Sequence, residues 1–147
     1  MMKQASPKTI YLQDYQVPPF LVDQVSLVFE LHEQGTKVRS RLQVRRNPAS
    51  QGASPETPQG AATDWHLYGE QLQPVWLAID GRRLQPEEYQ IDEEGLLLLG
   101  VPEQFELSSE VQIAPENNTA LEGLYRSSDM FCTQCEAEGF RRITFYP

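Results

Sequence analysis

Apolar and polar positions alternate along much of this chain with a period of two. VSLVFEL carries Val25, Leu27, Phe29 and Leu31 on one face, and KVRSRLQV carries Val38, Leu42 and Val44 on a face of its own. Successive side chains point to opposite sides of a strand, so both segments read as half-buried β-strands. The intervening HEQGT, with Gly35, joins them as an antiparallel hairpin. Strand signals return at Trp65 to Leu67 and at Pro74 to Ile79, after which the Asp80-Gly81 pair turns the chain into Arg82 to Leu84. A further hairpin is predicted from Tyr89 to Val101 around Asp92-Glu93-Glu94-Gly95. Phe105 to Leu107 and Glu110 to Ile113 supply two more short strands. No segment holds a 3.6-residue apolar period over helical length. Short strands separated by frequent turns predict an all-β chain, an antiparallel β-sandwich with little helix.

Two stretches lie outside this pattern. Residues 1 to 24 read as an extended, proline-containing lead-in, with Tyr11, Tyr15, Phe20 and Leu21 placed to pin it to the body; regular structure is expected from Val25 onward. Positions 47 to 64, NPASQGASPETPQGAATD, are rich in proline, glycine and small polar residues and nearly devoid of large apolar ones. That composition cannot pack, so the stretch reads as a mobile surface insertion in a single domain spanning 1 to 147.

Size and charge narrow the function classes. A chain of 147 residues, 39% hydrophobic and 10% aromatic, can bury a core without metals or disulfides. Its formal net charge of −9, from 12 basic and 21 acidic residues, argues against nucleic acid, whose phosphates need clustered Lys and Arg. The basic pairs Arg45-Arg46, Arg82-Arg83 and Arg141-Arg142 are isolated and read as solvated faces or local ion pairs. No apolar run approaches the ~20 residues that span a bilayer, and the N-terminus lacks the apolar core of a signal peptide. No membrane partner is therefore expected. A cytoplasmic location follows, with Cys132 and Cys135 reduced.

Several groups could carry chemistry. Cys132-Thr133-Gln134-Cys135 is a C-x-x-C, but the only histidines, His32 and His66, are remote in sequence and no second C-x-x-C exists to complete four zinc ligands. A thioredoxin-type pair would open a helix in a βαβ unit, which this chain does not show. Buried, reduced thiols are the preferred reading. His32-Glu33-Gln34-Gly35-Thr36 begins like H-E-x-x-H but has Thr36 where the second histidine belongs. His66, between Trp65 and Leu67, reads as a strand residue satisfied locally. Glu87-Glu88 and Asp92-Glu93-Glu94 read as solvated turn residues without calcium-loop spacing. Of Glu136 and Glu138, Glu136 differs because of its neighbours. If Thr133 to Glu136 is extended, Gln134 and Glu136 share one face, and an amide beside a carboxylate could hold an ammonium group. Without further information, a surface Gln and Glu on an edge strand remains the simpler reading.

The run Gly123-Leu124-Tyr125-Arg126-Ser127, then Thr133-Gln134-Cys135-Glu136, then Arg141-Arg142, resembles the motif train of bacterial zinc aminopeptidases of the aminopeptidase N type. The likeness runs in outline from about Tyr11 and is specific from Asn117 onward; the 47 to 64 stretch has no counterpart. The resemblance implies that the chain is the N-terminal β domain of such an enzyme, shaping its substrate cleft and truncated near Pro147. It implies that Glu136 binds the free α-amino group of a peptide N-terminus, with Gln134 beside the first substrate residue. Zinc belongs to the catalytic domain of the whole enzyme. This sequence has no G-A-M-E-N and no H-E-x-x-H, so no catalytic zinc and no hydrolysis are expected of it alone. The expected partners are the peptide substrate and that catalytic domain, together with self-association through strand edges left uncovered. A free-standing β-sandwich binding module is the alternative that composition permits.

Overall fold

The computed structural model describes residues 9–52, 63–136 and 138–147. Its strands are β1 (Phe20–Glu30), β2 (Thr36–Arg46), β3 (Thr63–Tyr68), β4 (Gln73–Ile79), β5 (Arg82–Arg83), β6 (Tyr89–Ile91), β7 (Gly95–Val101), β8 (Gln104–Ile113), β9 (Gly123–Ser127) and β10 (Met130–Gln134). One five-stranded sheet has the order β1-β2-β8-β4-β5, a three-stranded sheet has the order β3-β7-β6, and β9 and β10 form a separate hairpin. Among the described residues all the pairings are antiparallel, and helix is confined to short 3-10 turns. The all-β sandwich expected from the sequence is the fold observed.

The two larger sheets enclose one apolar core. Val38, Leu42 and Val44 of β2 and Phe105, Leu107 and Val111 of β8 meet Trp65, Leu67, Leu96, Leu98 and Val101 from the second sheet. Phe20 joins them: its ring centroid lies 5.3 Å from that of Trp65 and 5.9 Å from that of Phe105. Trp65 and Phe105 complete the triangle edge to face at 5.9 Å. Each such pair adds about 0.5–1.5 kcal/mol beyond the area it buries.

Three expectations are corrected here. Regular structure begins at Phe20 rather than Val25, because the register slips between Val22 and Gln24 and leaves Asp23 as a bulge. Before the bulge even-numbered positions face the core; after it odd-numbered ones do, so the alternation is visible in the sequence only from Val25. Phe20 does pin the chain, but Tyr11 and Tyr15 are exposed and do not. Phe105 to Leu107 and Glu110 to Ile113 are halves of the single strand β8, joined through the buried Ser108 and Ser109. Ser109 Oγ lies 2.9 Å from Ser40 Oγ, and Thr144 donates its hydroxyl to Ser40 at 3.1 Å, so these polar atoms are paired inside the core.

The mobility predicted for positions 47 to 64 falls mainly on residues 53 to 62, outside the described residues. The first residue of that stretch does pack. Asn47 is buried, donates its amide to the Pro18 carbonyl at 2.8 Å and accepts from the Ala49 N–H at 3.0 Å.

Candidate functional site

The motif-bearing residues converge on the loop that leaves β10. Gly123 in β9 pairs with Gln134 in β10, and the chain then turns through Cys135 and Glu136 before the 3-10 turn Gly139–Arg142. Two glycines allow this loop to lie against the hairpin. A Cβ on Gly139 would stand 2.4 Å from the Gln134 carbonyl oxygen; one on Gly123, whose φ is +72°, would stand 2.7 Å from Arg142 Cβ. Neither position has room for a side chain, and Gly123 also occupies backbone space that favours glycine.

The strand ends at Gln134, so the straight extension to Glu136 expected from the sequence does not occur. A turn holds the two residues together instead: Gln134 Oε1 accepts the Glu136 backbone N–H at 3.1 Å. That bond orients the amide, committing one oxygen lone pair to the turn and leaving its NH2 group able to donate. Both side chains are exposed.

Two arginines that sequence reasoning left as an isolated basic pair hold this loop in place. The Arg142 side chain, only 12% exposed, bonds Glu70 at 2.5 Å and Gln71 at 3.2 Å and approaches Glu122 at 3.5 Å. Arg141 pairs with Glu138 at 2.9 Å and stacks its guanidinium 3.9 Å over the Tyr68 ring. Backbone bonds from Glu70 N–H to the Arg141 carbonyl and between Tyr68 and Tyr146 tie the segment to β3. The long-range partners Tyr68 and Glu70 carry no local signal; only the Gly139-x-Arg141-Arg142 punctuation hinted at a fixed turn. Beside the loop lies a shallow hollow of about 160 Å3 where Glu70, Glu93, Glu94 and Glu138 gather with Tyr68 and Arg141. Glu70 is paired with Arg142 and Glu138 with Arg141, so the acidic character of the hollow rests on Glu93 and Glu94.

The other candidates separate cleanly. Cys132 and Cys135 are free thiols, but Cys135 is exposed and Cys132 half-buried, which overturns the expectation of a buried pair. The strand ends one residue before Cys135, and the turn carries its side chain outward into solvent. His66 sits on β3 with its ring edge to face with Tyr68 at 4.7 Å, the local satisfaction expected of it. His32 is exposed beyond the end of β1. Glu88 is bound by Arg82 at 2.8 and 3.0 Å and by the Gln85 N–H at 2.8 Å, and these bonds lower its pKa to about 2. Among the described residues no group of three or more His, Cys, Asp or Glu could hold a metal ion. The zinc implied by the resemblance therefore finds no ligand set in them. No helix among them is long and apolar enough to cross a membrane.

An all-β sandwich carrying this loop defines a class, the N-terminal β domain of aminopeptidases. A crystal structure of Legionella pneumophila aminopeptidase A in complex with aspartic acid superposes with a TM-score of 0.77 and 25% identity, covering 92% of this chain and 15% of that one. Aminopeptidase N of Caulobacter vibrioides is 43% identical over 146 residues, 99% of this chain, and that of Escherichia coli 39% identical over 141 residues, 95% of it. Over nearly its whole length this chain is similar to aminopeptidase N. It spans 16% and 15% of the length of those two relatives. No protein-family model matches it.

Proposed function

We propose that this β domain supplies the amine-recognition side of a zinc aminopeptidase cleft, with Glu136 receiving the free α-amino group of a peptide and Gln134 lying beside the first residue. The observation that carries the reading is the exposed turn in which the Gln134 amide is fastened to the Glu136 backbone, within the T-Q-x-E segment of an aminopeptidase N relative. The carboxylate is the complement of an ammonium group, and a charge-assisted hydrogen bond of this kind is worth about 1.5–3 kcal/mol. That margin favours a peptide end over an internal peptide bond. Zinc, held by a catalytic domain, supplies the hydrolytic chemistry of the whole enzyme; the residues of this chain bind and orient and do not hydrolyse.

The test uses the domain in a complete enzyme, exchanged for the matching segment of the Escherichia coli relative. Glu136→Gln should lower kcat/KM for aminoacyl substrates roughly 10- to 100-fold. It should leave unchanged the much weaker turnover of analogues whose α-amino group is replaced by hydroxyl. Equal losses on both substrates would refute the assignment of Glu136. The chain alone should show no peptidase activity with or without added zinc.

A further inference from the structure

We propose that Arg142 is the positioning residue of the amine-recognition turn: its guanidinium clamps two distant segments and so fixes the frame from which Glu136 meets an ammonium group. The proposal rests on the amine-binding reading above, since positioning affects the reaction only if Glu136 receives the amine. Arg142 divides its guanidinium nitrogens among three residues. Nη2 donates to Glu70 Oε1 at 2.5 Å, Nη1 donates to Gln71 Oε1 at 3.2 Å, and Nε faces Glu122 Oε2 at 3.5 Å. Glu70 and Gln71 lie in the connection between β3 and β4, 72 and 71 residues away in sequence, and Glu122 lies just before β9. The Arg142 side chain is 12% exposed, so water competes weakly for these contacts. All three partners belong to this chain, and the clamp does not depend on what adjoins the domain.

The backbone is held in unusual space on both sides of the clamp. Gln71 has a φ of +56°, and Leu121, next to Glu122, has a φ of +58°. Residues with a Cβ are strained in left-handed space and persist there where surrounding contacts fix them, often around functional sites. Arg142 supplies such a contact to each of the two segments.

The path from the clamp to the turn runs through main chain. Gly123 follows Glu122 and lies against Arg142: a Cβ on it would stand 2.7 Å from Arg142 Cβ and 3.0 Å from the Gly139 carbonyl oxygen. Gly123 is also the strand partner of Gln134, whose amide oxygen accepts the Glu136 N–H. Close-packed atoms transmit displacement, so a shift of Arg142 reaches Gln134 and Glu136 through Gly123. Arg142 acts by holding the turn, and Glu136 remains the group that meets the substrate.

The test is a double-mutant cycle in the complete enzyme, with this domain exchanged for the matching segment of the Escherichia coli relative. Arg142→Met keeps the aliphatic stem and removes the clamp. It should lower kcat/KM for aminoacyl substrates roughly 10-fold and leave turnover of the hydroxyl analogues unchanged. In a Glu136→Gln background the same change should cost less than about 2-fold, because the group being positioned is gone. Arg142→Lys keeps the charge but cannot serve three partners at once, and its loss should fall between those of the parent and Arg142→Met. Should Arg142→Met fail to fold, Glu70→Gln, at a side chain 57% exposed, removes one arm of the clamp and should give a smaller loss that is again confined to the amine. Equal losses on both substrates, or losses that simply add in the cycle, would overturn the proposal and leave Arg142 a stabilising residue. An amine-selective loss at Glu136 with none at Arg142 would refute the positioning alone, whereas a Glu136→Gln enzyme with unaltered amine selectivity would refute the reading on which it rests.

Discussion

The hydroxyl of Thr144 donates to Ser40 Oγ at 3.1 Å inside the sandwich, joining the C-terminal segment to a central strand of the larger sheet. Ser40 also meets Ser109 at 2.9 Å, so it stands in the middle of a buried chain of three hydroxyls. Ser40→Ala removes the shared partner and leaves two buried hydroxyls unpaired, which should cost about 1–3 kcal/mol. Thr144→Val keeps the shape and leaves the Ser40–Ser109 bond intact, so its cost should be smaller. Denaturant midpoints of the two variants, compared at constant m-value, check the order; a larger loss for Thr144→Val would refute it.

The contact between Gly139 and the Gln134 carbonyl makes a sharper demand. A methyl at Gly139 would stand 2.4 Å from that backbone oxygen, which no flexible side chain can relieve. Gly139→Ala should therefore push the loop off the hairpin, at a cost of about 1–3 kcal/mol. Backbone amide shifts of Gln134 and Glu136 should move with it. Unchanged shifts at both residues would show that the loop has slack the geometry denies.

Glu88 carries the pH signature. Its bonds to Arg82 and to the Gln85 N–H hold its pKa at about 2, below the ordinary 4.5. A depressed carboxylate stabilises the fold fully above its unfolded value and loses that contribution as pH falls through the folded one, so the window is about pH 4.5 down to about 2. The carboxylate is solvent-exposed, so the effect on stability should be small, and the site is best followed by carboxyl chemical shift. Arg82→Ala should return the Glu88 midpoint toward its ordinary value; an unmoved midpoint would remove Arg82 as the cause.

Thiol chemistry separates Cys135 from Cys132. Cys135 is exposed in the turn and Cys132 is half-buried on β10, so alkylation of the folded chain should label Cys135 first and Cys132 more slowly. Mass mapping after brief labelling checks this, and equal rates would mean that β10 opens readily.

The sandwich was legible because a half-buried strand advertises itself by alternation, and Val38, Leu42 and Val44 kept that alternation without interruption. The T-Q-x-E run was legible as a motif for a different reason, since it is a local string. What local reading missed depends on contacts between distant residues. The Asp23 bulge reversed which residues of β1 face inward, and nothing near Asp23 marks it. Ser108-Ser109 looked like a break because two polar residues interrupt an apolar pattern; Ser40 on the neighbouring strand pairs the inward hydroxyl of Ser109, while Ser108 turns to the other face and bonds Glu106. The pairing of Gln134 with Glu136 was anticipated, but by a straight strand rather than the turn that exists. Tertiary packing of Gly139, Arg142 and Glu70 makes that turn.

Sequence alone determined the class of fold, the positions of most strands and the location of the T-Q-x-E motif, because period, turn residues and motif spacing are properties of neighbours along the chain. Tertiary structure decided where β1 switches the side it buries, which cysteine meets solvent, and how the Gln134–Glu136 turn is braced. Those outcomes depend on steric and hydrogen-bonding partners drawn from the far ends of the polypeptide.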